Sequence, residues 1–128
     1  MVMSMTTAST TVSITGEVTA TPFLPQPNSN QEVWSVVSMV ANAGTVDIHT
    51  PASGKRSYLS GIYLYNSSDA VADCSTKRSG NYFYRKIMAN ATEVSISFGT
   101  PIPFNVDEVV RLTTDKANIF YCYWGYDA

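Results

Sequence analysis

The sequence predicts an all-β protein, an antiparallel two-sheet β-sandwich or jelly roll with an extended N-terminal arm. Three observations predict it. Short β-branched and aromatic runs recur at spacings near ten residues from Val33 onward, each closed by turn-forming residues. No window holds apolar residues at i, i+3, i+4 and i+7 over more than two turns, so no amphipathic helix is expected. The 128 residues make one ordinary core, which at this size folds without a metal or a disulfide.

Each element follows in order. Residues 4–21 are rich in Ser and Thr, with Val12, Ile14 and Val18 spaced by two or four, which suits an extended arm. Pro22, Pro25 and Pro27 then deny backbone donors and fix φ, so neither helix nor central strand continues; residues 1–32 read as arm and linker, and 33–128 as the sandwich domain. The first strand, Val33 to Val40, ends at the turn signal Asn42-Ala43-Gly44, after which Val46 and Ile48 alternate with Asp47 and His49. Pro51-Ala52-Ser53-Gly54 breaks that strand, and the longest aromatic strand, Ser57 to Tyr65, closes on Asn66-Ser67-Ser68-Asp69. Val71–Arg78 and Tyr82–Met88 flank Ser79-Gly80-Asn81, read as a three-residue hairpin loop. Val94, Ile96 and Phe98 alternate with Ser95 and Ser97, a strand with one apolar and one polar face. Gly99 to Pro103 kinks the path, and Val109–Thr114 and Ile119–Tyr126 complete the set of some eight strands. The strands Tyr58–Tyr65 and Phe120–Tyr126 carry large residues on both faces. One face fills a core, and the other needs a neighbour or the arm to cover it.

Composition narrows the function. Charged residues are 14% of the chain against a usual ~25%, while aromatics are 12%, a balance that points to surface covered by a partner. A net charge of −2 argues against a grip on nucleic acid, which needs clustered cations. The pairs Lys55-Arg56, Lys77-Arg78 and Arg85-Lys86 do not make a patch, because neighbours on a strand point to opposite faces. No run approaches the ~18 apolar residues of a membrane span, and Met1 to Thr11 lacks the pattern of a signal peptide, so synthesis in the cytosol and no membrane partner are expected. Asn66-Ser67-Ser68 and Asn90-Ala91-Thr92 match the glycosylation pattern but read as surface turns.

No residue set points to catalysis, a cofactor or a metal, and the protein is expected not to be an enzyme. His49, the single histidine, is at the polar phase of its strand and is expected to face solvent. Cys74 and Cys122 are too far apart for a Cys-x-x-Cys pair and read as free thiols. Asp107-Glu108 diverge as neighbours and read as a loop. Neither a Gly-x-Ser-x-Gly elbow nor a Gly-x-x-x-x-Gly-Lys phosphate loop is present. The eight tyrosines favour core or subunit-interface packing over a carbohydrate groove.

Three segments carry a resemblance. They are Tyr58-Leu59-Ser60-Gly61-Ile62-Tyr63-Leu64-Tyr65-Asn66-Ser67; Val94-Ser95-Ile96-Ser97-Phe98 with the following Pro101-Ile102-Pro103-Phe104; and Tyr123-Trp124-Gly125-Tyr126. Over residues 57–126 the chain resembles the small β-sandwich structural proteins of tailed bacteriophages, above all capsid decoration (cement) proteins. The aromatic hairpin Tyr82-Phe83-Tyr84 departs from the polar, Asp-Gly-bearing form of such chains. The resemblance implies a non-enzymatic protein on the capsid surface of a virion assembled in the host cytoplasm: a homotrimer bound to the major capsid protein, with no cofactor. The alternative it leaves is a glycan- or receptor-binding module of a head fibre or tail. The candidate interface residues are Val12, Ile14, Phe23 and Leu24 in the arm, and Tyr82, Tyr84, Trp124 and Tyr126 in the sandwich.

Overall fold

The computed structural model describes residues 31–128, in which eight strands and no helix are found. They are β1 (Glu32–Met39), β2 (Gly44–His49), β3 (Arg56–Asn66), β4 (Ala72–Arg78), β5 (Asn81–Met88), β6 (Thr92–Val106), β7 (Val110–Thr114) and β8 (Ile119–Asp127). Two antiparallel four-stranded sheets have the orders β1-β8-β3-β6 and β2-β7-β4-β5. Strand β1 pairs with β8, β2 with β7, β3 with β6 and β4 with β5, so the chain is one long hairpin rolled into two layers, which is the jelly-roll topology. The predicted fold class is therefore observed. The arm residues Val12, Ile14, Phe23 and Leu24 lie outside the described residues.

Alternation builds the core. Val110 and Leu112 on β7, Ala72 and Cys74 on β4, and Ile119, Tyr121 and Tyr123 on β8 all turn inward and are buried. Tyr123 crosses between the layers and shares a 2.5 Å hydrogen bond with the Thr76 hydroxyl, so its polar end is satisfied inside an apolar core. At the β4–β5 turn, Ser79 and Gly80 both have positive φ (53° and 79°) and Arg78 pairs with Asn81. The connection is thus a two-residue turn of the primed kind, one residue shorter than the sequence suggests. Residues 92–106 form one continuous strand, the predicted kink being absorbed as a shift in its pairing with β3.

One irregularity decides what the outer surface looks like. The register of β3 against both its neighbours slips between Leu59 and Gly61. Ser60 is the extra residue of a bulge, which reverses the alternation. Leu59 before it and Ile62 and Leu64 after it all point inward and are fully buried, while Tyr58, Tyr63 and Tyr65 share the outer face. Without the slip, Tyr58 would sit on the opposite side of the sheet from Tyr63.

Two expectations are corrected here. His49 does not face solvent. A second irregularity, between Asp47 and His49, turns the imidazole back toward the sandwich, and its side chain is only 18% exposed. Asn66 is not a surface turn residue, being fully buried. Its amide donates to the carbonyls of Ala70, Met88 and Ala89 (2.9, 3.0 and 3.2 Å), and its oxygen accepts from the Ser68 backbone N–H and hydroxyl. Both ends of the β3–β4 connection are tied to it.

Candidate interaction face

The outer face of the β1-β8-β3-β6 sheet is built from three rows. Edge strand β1 contributes Val33, Val37 and Met39, which are 69%, 74% and 42% exposed. Central strand β8 contributes Phe120, Cys122, Trp124 and Tyr126, opposite Met39, Val37, Ser35 and Val33 in register. On the other side of β8 lie Tyr65, Tyr63, Gly61 and Tyr58 of β3. The rings order one another across the strands. Tyr58 stacks on Tyr126 with centroids 4.9 Å apart, Tyr65 tilts against Phe120 at 6.3 Å, and the Trp124 indole lies over Gly61. Gly61 is needed there, because a Cβ on it would come closer than 3.0 Å to three atoms of the indole.

Apart from Arg56, which follows Tyr58 on the outer row at the end of β3, the rows of the face carry no charge. Strand β6 borders it with Ser95, Ser97 and the carboxylate of Glu93, which accepts a 2.8 Å hydrogen bond from the Tyr63 hydroxyl. That bond holds the Tyr63 hydroxyl above its usual pKa, and burial against the sheet does the same for Tyr126. Cross-strand aromatic pairs of this kind stabilise a sheet by about 0.2–1 kcal/mol each, which explains an ordered surface but not why so much apolar area is left open. Exposed apolar patches of this continuity mark interaction surfaces.

The opposite outer face, on β2-β7-β4-β5, is of the ordinary solvated kind. Asp47 pairs with Arg111 at 2.7 Å and Asp73 with Arg85 at 2.6 Å, the latter pair holding the Asp73 carboxyl below its usual range. Lys77 and Arg85 both sit over the Tyr82 ring, 4.8 and 5.4 Å from its centre. A depression of about 250 Å³ lies beside them, lined by Thr45, Lys77, Gly80, Glu108, Arg111 and Thr113. Glu108 in its wall is committed to the backbone N–H groups of Ser79 and Asn105.

The sequence-predicted interface residues separate accordingly. Trp124 and Tyr126 are on the aromatic face, and Tyr82 is on the outer face of the other sheet. Tyr84 packs against the core, its hydroxyl buried with no hydrogen-bond partner, and burial raises its pKa. The residues that complete the aromatic face, Tyr58, Tyr63, Tyr65 and Phe120, were recognisable in sequence only as a two-faced strand pair.

A second cluster has the residue types of a catalytic triad but a different wiring. Asp127, 2% exposed, accepts hydrogen bonds from Trp34 Nε1 (3.1 Å), Ser57 Oγ (2.8 Å) and His49 Nε2 (2.8 Å). A carboxylate only accepts, so His49 carries its proton on Nε2. Ser57 is fully buried and, like His49, donates to the same carboxylate. The general base of a triad would instead bond to the nucleophile, which this arrangement does not do. Trp34 also stacks on His49, with centroids 4.2 Å apart. The cluster is a clasp that ties β1, β2 and β3 to the end of β8.

Cys74 is buried in the core, where desolvation raises its pKa, and Cys122 is part-exposed on the aromatic face; both are free. Among the described residues no group of three His, Cys, Asp or Glu side chains is placed to hold a metal ion. Compared with known proteins, the chain matches no family model and no curated sequence.

Proposed function

We propose that the protein is a non-enzymatic structural component of a tailed-phage virion, a decoration protein that binds the major capsid protein and stabilises the head shell. The observation that carries the structural role is the aromatic face, poor in charge, which is ordered by its own ring contacts and lacks any cover within the described residues. Its chemistry is that of a protein interface core, where aromatic residues are enriched and charges depleted. Jelly rolls serve capsids, lectins and cupins alike, so the fold by itself does not choose among these roles. The choice of virion rests on the resemblance of residues 57–126 to decoration proteins.

Stabilisation of a shell then follows from mass action. A protein that binds only the assembled shell lowers its free energy by about 2.7 kcal/mol per site at a concentration of 100 Kd. The test is to add the full chain to head shells stripped of it. Co-sedimentation with the shells and a higher shell melting temperature are expected. Failure to bind, with unchanged melting, overturns the reading, and retention on immobilised host-surface glycans in the same preparation would assign the face to a receptor-binding module instead.

A further inference from the structure

We propose that a gap between β4 and β7, on the sheet opposite the aromatic face, is a binding site for a small monocarboxylate held between Lys77 and Arg111. The site shares no residue with the aromatic face, so it stands or falls apart from the decoration role.

Strand register makes the gap. Strands β4 and β7 pair at Cys74 with Thr114 and at Ser75 with Thr113, and no further. Neither strand has ended there, since Thr76, Lys77 and Arg78 remain paired to β5, and Leu112 and Arg111 to β2. Continued for two more residues, the same register would set Lys77 directly opposite Arg111 on the outer face. Like charges opposite one another destabilise a strand pair, and it is here that the strands part. Beyond the cations the two sides are tied together again: the Ser79 backbone N–H donates to Glu108 (2.6 Å), and the Asn105 amide donates to the Ser79 hydroxyl (2.7 Å). The depression of about 250 Å³ is therefore an opening in the sheet closed at both ends. Thr45 and Thr113 stand at one end, Gly80 and Glu108 at the other, and a cation on each side.

Hydrogen-bonding capacity identifies the ligand. Asp47 takes Nε of Arg111, at 2.7 Å, which leaves the terminal N–H groups of the guanidinium to give. The Lys77 ammonium rests over the Tyr82 ring and has no carboxylate partner among the described residues. Both side chains are donors only. The nearest acceptor is already engaged, because the two Glu108 oxygens accept from the backbone N–H groups of Ser79 and Asn105. What the opening lacks is an acceptor that reaches both cations, and a carboxylate does so with its two oxygens. The carboxylates of Asp47 and Glu108 stand close by, so a doubly charged sulfate or phosphate meets more repulsion there than a monoanion does. The volume equals about eight water molecules at ~30 Å³ each, enough for a carboxylate on a short carbon stem. Thr45 and Thr113 share one hydrogen bond of 2.9 Å between their hydroxyls, which leaves one O–H to donate to a hydroxyl on that stem.

The test is NMR mapping of backbone amide shifts in the full chain, titrated separately with glycerate, with the α-amide of N-acetylglutamate, with sulfate and with glycerol. Saturable shifts around Lys77, Gly80, Arg111 and Thr113 are expected with the two monocarboxylates. Lys77→Met keeps the stem of an exposed side chain and removes its ammonium, and should weaken binding at least about tenfold, the loss of one hydrogen bond between charged groups. Lys86→Met removes one positive charge from an exposed position of β5 outside the opening and should leave the Kd unchanged. Tighter binding of glycerate assigns the site to a free hydroxy acid, and tighter binding of the blocked glutamate to an acidic side chain of a partner protein. Failure of both to saturate, binding of sulfate or glycerol as tight as either, or a Kd unmoved by Lys77→Met overturns the inference.

Discussion

Replacing Asp127 with Ala should destabilise the sandwich far more than the loss of an exposed carboxylate would. The carboxylate is the shared acceptor for Trp34, Ser57 and His49 at 3.1, 2.8 and 2.8 Å, and it is 2% exposed. Hydrogen bonds to a charged acceptor contribute about 1.5–3 kcal/mol each, which would give roughly 5–9 kcal/mol if the three were independent. They are not, since all three share one carboxylate whose own desolvation is relieved when it is removed, and His49 can turn to water. About 3–5 kcal/mol is therefore expected, the range for breaking a buried pair from one side. For a domain of this size that is a fall in Tm on the order of 15 °C or more. Asp127→Asn keeps one oxygen for Trp34 and Ser57 and offers an amide to the imidazole, which can accept in its other tautomer, so it should cost only about 1–2 kcal/mol. Urea unfolding followed by tryptophan emission, at one fixed protein concentration so that assembly does not move the midpoint, measures both variants. An Ala variant within about 1 kcal/mol of wild type would refute the clasp.

Two further outcomes follow from buried positions. Gly125→Ala would set a Cβ against the Tyr58 carbonyl and 3.1 Å from Trp34 Cζ2, forcing the β3 and β8 backbones apart; a loss of about 2–3 kcal/mol is expected by the same urea assay, with strain at a paired backbone placing it high in the overpacking range. Stability should also fall in alkali. Burial raises the Cys74 thiol from 9.0 and, more strongly, the Tyr123 hydroxyl from 10.0, so the folded state holds protons that the unfolded state releases. The contribution is complete below those ordinary values and is lost as pH rises past them, by up to about 1.4 kcal/mol per pH unit for each group. Cys74→Ala should remove the part of the slope that begins near pH 9, and a stability flat from pH 8 to 11 would contradict the burial of both groups.

The strands were legible because burial on one side writes itself as alternation. Val94-Ser95-Ile96-Ser97-Phe98 is the plainest case, with its valine, isoleucine and phenylalanine packed on the core and its serines outside. What the sequence did not disclose were breaks in that alternation. Tyr58 and Tyr63 are five residues apart, so a regular strand sends them to opposite faces, and only the bulge at Ser60 unites them. The pair Ser60-Gly61 inside an apolar strand was the available signal, since glycine there marks a bulge or a close approach. His49 was misplaced for the same reason, its strand slipping by one residue just before it. Neither its partner Asp127, 78 positions away, nor the burial of Asn66 leaves a local trace, because both depend on how the roll brings distant strands together.

Cys122 reports most directly on whether the aromatic face is covered. It lies in the middle row, between Val37 and Tyr63, while Cys74 is fully buried in the core and stays silent toward reagents in the folded state. The measurement is the rate at which a soluble aromatic disulfide reacts with the native full chain free in solution, compared with the same rate once the chain is bound to head shells. The account predicts that Cys122 reacts at least tenfold more slowly on the shell than in the free chain, where one thiol is titrated per chain. Equal, fast reaction in both states would mean that the face stays open on the shell, and would contradict its role as the shell-binding interface.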